Sequence, residues 1–260
     1  MVSTTRLYNT EAIVIRKSEL GEADSILTLY TPHLGKIRAV AKGARRPKSK
    51  IGGHVELLVH SQMLLVRSRS LDIISQSQTV ESFLPLRDDL KRTSSALYVA
   101  ELVDRFTADG QENYPLFRLL VDTLHWLCRA RHGELVLRYF ELHLLRHLGY
   151  QPQLQQCVVC RSPMMAGDNY FTPSGGGVVC PSCCHQEPVR YPLSLNALKV
   201  LRFLERSDYA QVDRLRVSPE LSSDLKRLMQ RCIRYLLERD VKSAEWLDRL
   251  EKEEFGQPKP

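Results

Sequence analysis

The chain reads as an α+β protein: a small N-terminal β-barrel, then an all-α helical domain with a cysteine-bearing finger inserted into it. Three observations predict this. Residues 1–83 break into five short strand-like runs separated by turn residues. From Leu86 onward, leucine and other apolar residues recur at helical spacing. Two cysteine pairs, Cys157-Val-Val-Cys160 and Cys180-Pro-Ser-Cys183, then interrupt the helical pattern.

The strands come in order. Thr10–Arg16 holds the β-branched run Ala12-Ile13-Val14-Ile15, and the polar stretch Ser18–Asp24, with Gly21, turns the chain. Ser25–Thr31 alternates around Ile26, Leu27 and Leu29. Pro32 and Gly35 mark the next turn. Lys36–Ala41 sets Ile37 and Val40 against Lys36, Arg38 and Lys42. Val55–Val66 and Leu71–Val80 supply the last two strands. Five strands in so short a span suggest a small closed barrel, with the OB-fold leading and an SH3-like barrel as the alternative.

The character changes at Phe83-Leu84-Pro85. Leu86–Asp109, Pro115–Arg129 and Glu134–Leu148 read as three amphipathic helices with short connections, which pack on one another. Two more follow: Ser194–Glu205, with Ser194 as N-cap, and Ser218–Glu238, where Pro219 suits the first helical position. The expected organisation is a barrel over 1–83, helices over 84–150, the finger over 151–190, helices over 191–245 and a polar tail over 246–260.

The cysteine spacing, C-x₂-C-x₁₉-C-x₂-C, reads as a tetrahedral zinc site. Two intervening residues let a tight turn aim both thiolates at one ion. Four sulfur ligands leave no open position, so one structural Zn²⁺ is expected and zinc catalysis is not. The long excursion, with Pro163, Gly167, Pro173 and Gly175-Gly176-Gly177, reads as turns without a core. Disulfides or redox chemistry are the rival readings. The N-terminus lacks an apolar signal region, which points to a cytoplasmic chain and favours metal. Cys184 and His185 adjoin the second pair, so one ligand could slip by a residue. Cys128 and Cys232 read as small core residues.

The formal net charge is +7, and residues 1–83, with twelve Lys/Arg against seven Asp/Glu, hold +5 of it. From Lys36 to Lys50 stand Lys36, Arg38, Lys42, Arg45, Arg46, Lys48 and Lys50, with no acidic residue among them. Residues 43–50 read as a mobile cationic loop that can track a phosphate backbone. The bland alternative is a solvated loop. A stacking platform wants aromatic rings beside the cations, and only Tyr8 and Tyr30 lie in this region. Backbone binding without base readout is therefore the expectation. No run of about 18 apolar residues occurs, so no transmembrane helix is expected.

Catalytic patterns are absent: there is no Gly-x₄-Gly-Lys-Ser/Thr, His-Glu-x-x-His or Gly-x-Ser-x-Gly. His143 and His147 share a helix face but lack further ligands at useful spacing, and read as surface histidines.

Glu22-Ala23-Asp24-Ser25-Ile26-Leu27-Thr28-Leu29-Tyr30-Thr31, Gly35 and Val40-Ala41-Lys42-Gly43-Ala44-Arg45-Arg46-x-Lys48-Ser49 together resemble the N-terminal signature of the bacterial RecO recombination mediators. Leu148-Gly149-Tyr150-x-Pro152 and the CxxC–CxxC insertion agree, and the resemblance runs to about residue 240. It implies an OB-fold joined to a helical domain with a zinc finger. It implies binding to single- and double-stranded DNA, strand annealing without nucleotide hydrolysis, and, with the partner RecR, loading of RecA on strands coated by single-strand-binding protein. It places DNA at Lys36, Arg38, Lys42, Arg45, Arg46 and Lys48, and zinc at Cys157, Cys160, Cys180 and Cys183. It also implies a cation-rimmed groove in the helical domain for the acidic tail of single-strand-binding protein, with Arg129, Arg131 and Arg138 as rim candidates or solvated charges. A nucleoid-associated location is expected, without membrane. The rivals are a zinc-ribbon nucleic-acid-binding regulator and a scaffold that binds only proteins.

Overall fold

The closing strand of the barrel is β1 (Leu7–Leu20), which pairs with two neighbours in turn. Its first half runs antiparallel to β4 (His60–Val66), from Leu7↔Val66 to Ile13↔His60. From Ile13↔Tyr30 to Leu20↔Asp24, β1 runs antiparallel to β2 (Asp24–Thr31), with an irregularity between Val14 and Arg16. β2 pairs with β3 (Gly35–Ala41), and β3 lies parallel to the start of β5 (Asp72–Glu81). The result is a closed barrel ordered β1-β2-β3-β5-β4, the order of an OB-fold. This computed structural model describes residues 7–130, 133–164 and 167–237. Closure satisfies the backbone polar groups that an open sheet leaves at its edges.

Ala12, Val14, Leu27, Leu29, Ala39, Ala41, Met63 and Leu65 fill the interior. Ile13 and Ile15, on the other face of β1, are buried too, because α1 (Leu90–Phe106) packs on that strand. A strand covered on both faces gives the continuous run Ala12–Ile15 rather than an alternation. The strand expected over Val55–Val66 is shorter: Gly52–Val55 forms a 3₁₀ turn. There the His54 carbonyl accepts from the Ser61 and Ser77 hydroxyls instead of a ladder partner.

Helix α1 begins where the Asp89 carboxylate accepts from the Arg92 N–H at 2.9 Å. Near its end Asp104 holds it on the barrel. Lys36 Nζ lies 2.6 Å from the Asp104 carbonyl and 3.2 Å from its carboxylate, and Arg16 reaches the other carboxylate oxygen at 3.2 Å. Gly35 is required at the β2–β3 turn: its φ is +61°, and a Cβ there would meet the Gln111 carbonyl oxygen at 2.0 Å. α2 (Tyr114–Arg129) follows and packs on α1.

The expected boundary after residue 83 marks where strands give way to helices. By contacts, however, the first compact unit extends through Arg129 and holds α1 and α2 with the barrel, and the second begins at Ala130. In the second unit α3 (Gly133–His147) packs on α4 (Leu195–Arg206) and α6 (Pro219–Leu237). α5 (Tyr209–Val212) is a single turn. Ser194 caps α4 as expected, accepting from the Ala197 N–H at 3.2 Å.

Between α3 and α4 lies a small sheet ordered β7-β6-β8, formed by β6 (Asn169–Thr172), β7 (Gly177–Val179) and β8 (Tyr191–Leu193). The excursion between the cysteine pairs was expected to lack a core. Instead Phe171, Val178 and Val179 are buried, and Gly175-Gly176 turn a hairpin. The end of the last helix at Glu238, and the 246–260 tail, lie outside the described residues.

Candidate nucleic-acid interface and metal centre

Ile37, Ala39 and Ala41 point into the barrel, so Arg38 and Lys42 stand on its outer face and are exposed. Val40 shares that face, not the inner one. The chain then leaves β3 in a series of turns. The Gly43 N–H donates to Asp24 Oδ1 at 2.7 Å, and the Arg45 N–H to the Ala23 carbonyl at 2.9 Å. The Arg46 N–H donates to Gly43 at 3.1 Å, the Ser49 N–H to Arg46 at 2.9 Å, and the Gly52 N–H to Ser49 Oγ at 3.1 Å. Ala44 is tucked into the barrel core. The segment is therefore a folded platform and not the mobile loop expected. A fixed loop presents its charges without first losing backbone freedom, which lowers the entropic cost of binding.

The seven basic positions separate by role. Lys42, Arg46, Lys48 and Lys50 are exposed on the platform, and Arg38 on the strand before it. Arg45 is drawn back to Glu19 at 3.0 Å and to the Gly21 carbonyl at 3.1 Å. Lys36 is turned away altogether: its side chain is 11% exposed and engaged by Asp104 and Asp109. Ser49 Oγ accepts from Gly52, which leaves its own proton available to a phosphate oxygen.

The structure also settles where the aromatic rings lie. Tyr30 is fully buried and cannot stack on a ligand. Tyr8 is half-buried under the Arg67 guanidinium, 5.3 Å from its ring centre, and its hydroxyl donates to Asp72 at 2.5 Å. Burial and that bond push the Tyr8 phenol well above its usual range. Two further rings, Tyr114 and Phe117, come from α2. A reading confined to the first 83 residues could not have found them. Their only trace in the sequence is an aromatic pair at the start of a helix.

In the second unit the four cysteine sulfurs lie within 4.8 Å of one another. Cys157 begins one tight turn, with the Arg161 N–H donating to its carbonyl at 2.9 Å, and the Cys183 N–H closes the other onto Cys180 at 3.1 Å. Cys160 Sγ and Cys180 Sγ are 3.9 Å apart. A zinc ion bound by sulfur at roughly 2.3 Å sets tetrahedral sulfur–sulfur edges of about 3.8 Å, so the donors fit. A disulfide needs about 2.05 Å. Neither Cys184 nor His185 belongs to the group. Ser162 hydrogen bonds pull the Cys160 thiol down to about 6, while Cys183, hydrogen-bonded to Cys180 and buried, is pushed up to about 12. Four sulfurs this close cannot all ionise unless a cation compensates them, which is what a bound metal supplies.

Of the expected groove charges, Arg129 is exposed at the end of α2, and Arg131 lies outside the described residues. Arg138 is neither a rim charge nor solvated. It is 3% exposed and bidentate to Glu141, at 2.6 and 2.5 Å. The spacing of three residues brings both groups to one face of α3, where they satisfy each other in the interior. His143 is likewise not a surface residue: burial lowers its pKa, and its Nε2 lies 3.1 Å from the Leu204 carbonyl.

Comparison with known proteins bears on both units. The family model described as "Recombination protein O N terminal" matches residues 5–83, and "Recombination protein O C terminal" matches 87–245. A "DNA repair protein RecO" of Dehalococcoides mccartyi (strain 195) is 40% identical over 245 residues, covering 94% of this chain and 96% of that protein. The protein of the same description from Roseiflexus sp. (strain RS-1) is 42% identical over 243 residues, covering 94% and 86%. That of Desulforamulus reducens is 38% identical over 251 residues, covering 96% and 98%. No described helix is long and apolar enough to cross a membrane.

Proposed function

The chain belongs to the RecO family of DNA repair proteins, and from that premise we propose that it is a non-catalytic recombination mediator. It binds single- and double-stranded DNA by the phosphates and anneals complementary strands. With RecR it helps load RecA on DNA coated by single-strand-binding protein, whose acidic tail it engages. It works in the bacterial cytoplasm, at the nucleoid. The observation that carries this reading is the folded basic platform: Lys42, Arg46, Lys48 and Lys50 are exposed on the turns that follow β3, and Arg38 is exposed on the outer face of that strand. Cations that grip phosphate leave the base edges free to pair, and annealing needs that property. The four cysteines hold Zn²⁺ as a structural ion, since they fill its tetrahedron and leave no site for substrate.

The test is annealing of two complementary oligonucleotides coated with the cognate single-strand-binding protein, without ATP. The protein should accelerate annealing, and Arg46→Glu with Lys48→Glu should remove the acceleration. Absence of acceleration by a folded, metal-loaded sample would favour a scaffold that binds only proteins.

A further inference from the structure

A groove of about 540 Å³ opens on the outer surface of the first unit, along the start of β1 and against α2. Phe117, almost fully buried with its ring edge-on to His60, forms part of its lining. At the groove, His33 from the β2–β3 turn lies parallel to Tyr114, the first residue of α2, with ring centres 5.6 Å apart and an interplanar angle of 11°. Tyr114 is 47% exposed, so part of this stacked pair faces solvent. Arg118 follows one helical turn later, and Arg67 over Tyr8 contributes a second guanidinium.

The occupant is constrained by this chemistry. Flat rings flanked by guanidiniums match an unpaired nucleobase with its adjoining phosphates. The volume lies within the range of small-molecule pockets, which suits one nucleotide. Asn9 and Gln62 also line the groove and can donate to or accept from a base edge. Acidic groups are present as well: Glu11 faces His60, Glu112 faces His33 and Asp122 faces Arg118. Burial lowers the pKa of His60, so that imidazole does not offset Glu11, which lines the groove; Arg118 is shared with Asp122, and Arg67, stacked on the Tyr8 ring, supplies the groove's cationic edge.

The barrel register gives a route to the groove. Ala39 and Val40, at the end of β3, lie beside Asp72 and Ile73, at the start of β5. The β4–β5 connection, with exposed Arg69 and the groove residue Arg67, therefore sits next to the root of the basic platform. A strand following the platform's cations meets Arg69 and Arg67 next.

We propose that this groove is a stacking subsite for one unpaired base of a single strand held by the platform. The inference rests on the DNA-binding reading above and adds a distinction to it. A duplex keeps its bases stacked internally, so only single strands use the groove. The subsite thus anchors a single strand at one base while its neighbours stay free to pair.

The experiment compares three probes of equal length: oligo(dT), an abasic deoxyribose-phosphate strand, and a duplex. Wild type should bind oligo(dT) about tenfold more tightly than the abasic strand. Tyr114→Ala should erase that difference and leave duplex affinity unchanged, and Tyr114→Phe should restore it. Equal affinity of wild type for the first two probes overturns the subsite. So does a Tyr114→Ala protein that keeps the wild-type preference, which would assign the groove to another occupant, such as an acidic peptide. Equal weakening on single strand and duplex overturns it too. If Arg46→Glu with Lys48→Glu instead keeps full affinity for all three probes, the platform reading fails independently of the groove.

Discussion

Cys157→Ser should leave the cysteine cluster unable to hold its metal and melt the finger. Cys157 is fully buried, and its sulfur lies 3.5 Å from the Cys180 N–H, so it joins the two turns even before it meets an ion. Structural zinc in small fingers contributes about 10–16 kcal/mol, comparable with or above the roughly 5–15 kcal/mol that holds a whole domain together. The finger's own cluster is small and built around the ligands: Cys157, Val179 and Cys183 are its buried members, with Val158, Val159, Met164 and Tyr170 packed against them. Its stem is tied to α4, where Arg202 donates to the Leu154 carbonyl at 2.8 Å and Gln151 to Glu205 at 2.9 Å. Loss of the ion should therefore unfold the finger and loosen that end of α4. Metal analysis should fall from one zinc per chain to none, with a drop of about 10 °C or more in melting temperature. Cys184→Ser, outside the cluster, is the control and should keep both. A Cys157→Ser protein with full metal content and wild-type melting would remove the structural-zinc account.

Reversal of Arg46 and Lys48 to glutamate has the largest expected effect on binding. Both are exposed on turns held by backbone bonds within the platform, so the fold should tolerate the change. On the proposed reading each substitution removes one phosphate contact and places a repulsive carboxylate in its position. Together they should weaken binding about a hundredfold near 100 mM salt, equally on every sequence. Circular dichroism should be unchanged. The same reversal at Lys36 would be a poor test, because Lys36 holds Asp104 and its loss disturbs the seating of α1. Arg45 is intermediate, since Glu19 already neutralises part of its charge.

Lys36 shows what sequence can and cannot carry. The alternation of β3 places it on the outer face with Arg38 and Lys42, and that much is local. What covers the outer face is not local: Asp104 arrives 68 residues later and claims the charge. The strands of the barrel were readable because their inner faces are apolar. β1 was readable by a different signal, the unbroken run Ala12–Ile15, produced by burial on both sides. The helices were equally plain, yet their spacing is the same whether they cover a barrel or one another. That ambiguity hid the attachment of α1 to the barrel. The cysteine cluster was the most local feature of all, since two residues between ligands already define the turn. Arg138 is the opposite case: only packing reveals that it lies inside with Glu141. Tyr114 and His33 lie 81 positions apart and meet only in the folded unit.

The central claim is that this chain holds nucleic acid by its phosphates. The most direct measurement is the affinity for a mixed-sequence single strand across 50–300 mM salt, repeated on a strand of scrambled sequence. Five exposed cations, Arg38, Lys42, Arg46, Lys48 and Lys50, predict a log–log slope of about −3.5, steepening to about −5 where Arg67 and Arg69 also engage the strand. The slope should be the same for both strands and shallower by about 1.5 in Arg46→Glu with Lys48→Glu. A slope near zero, or a strong preference for one sequence, would contradict it.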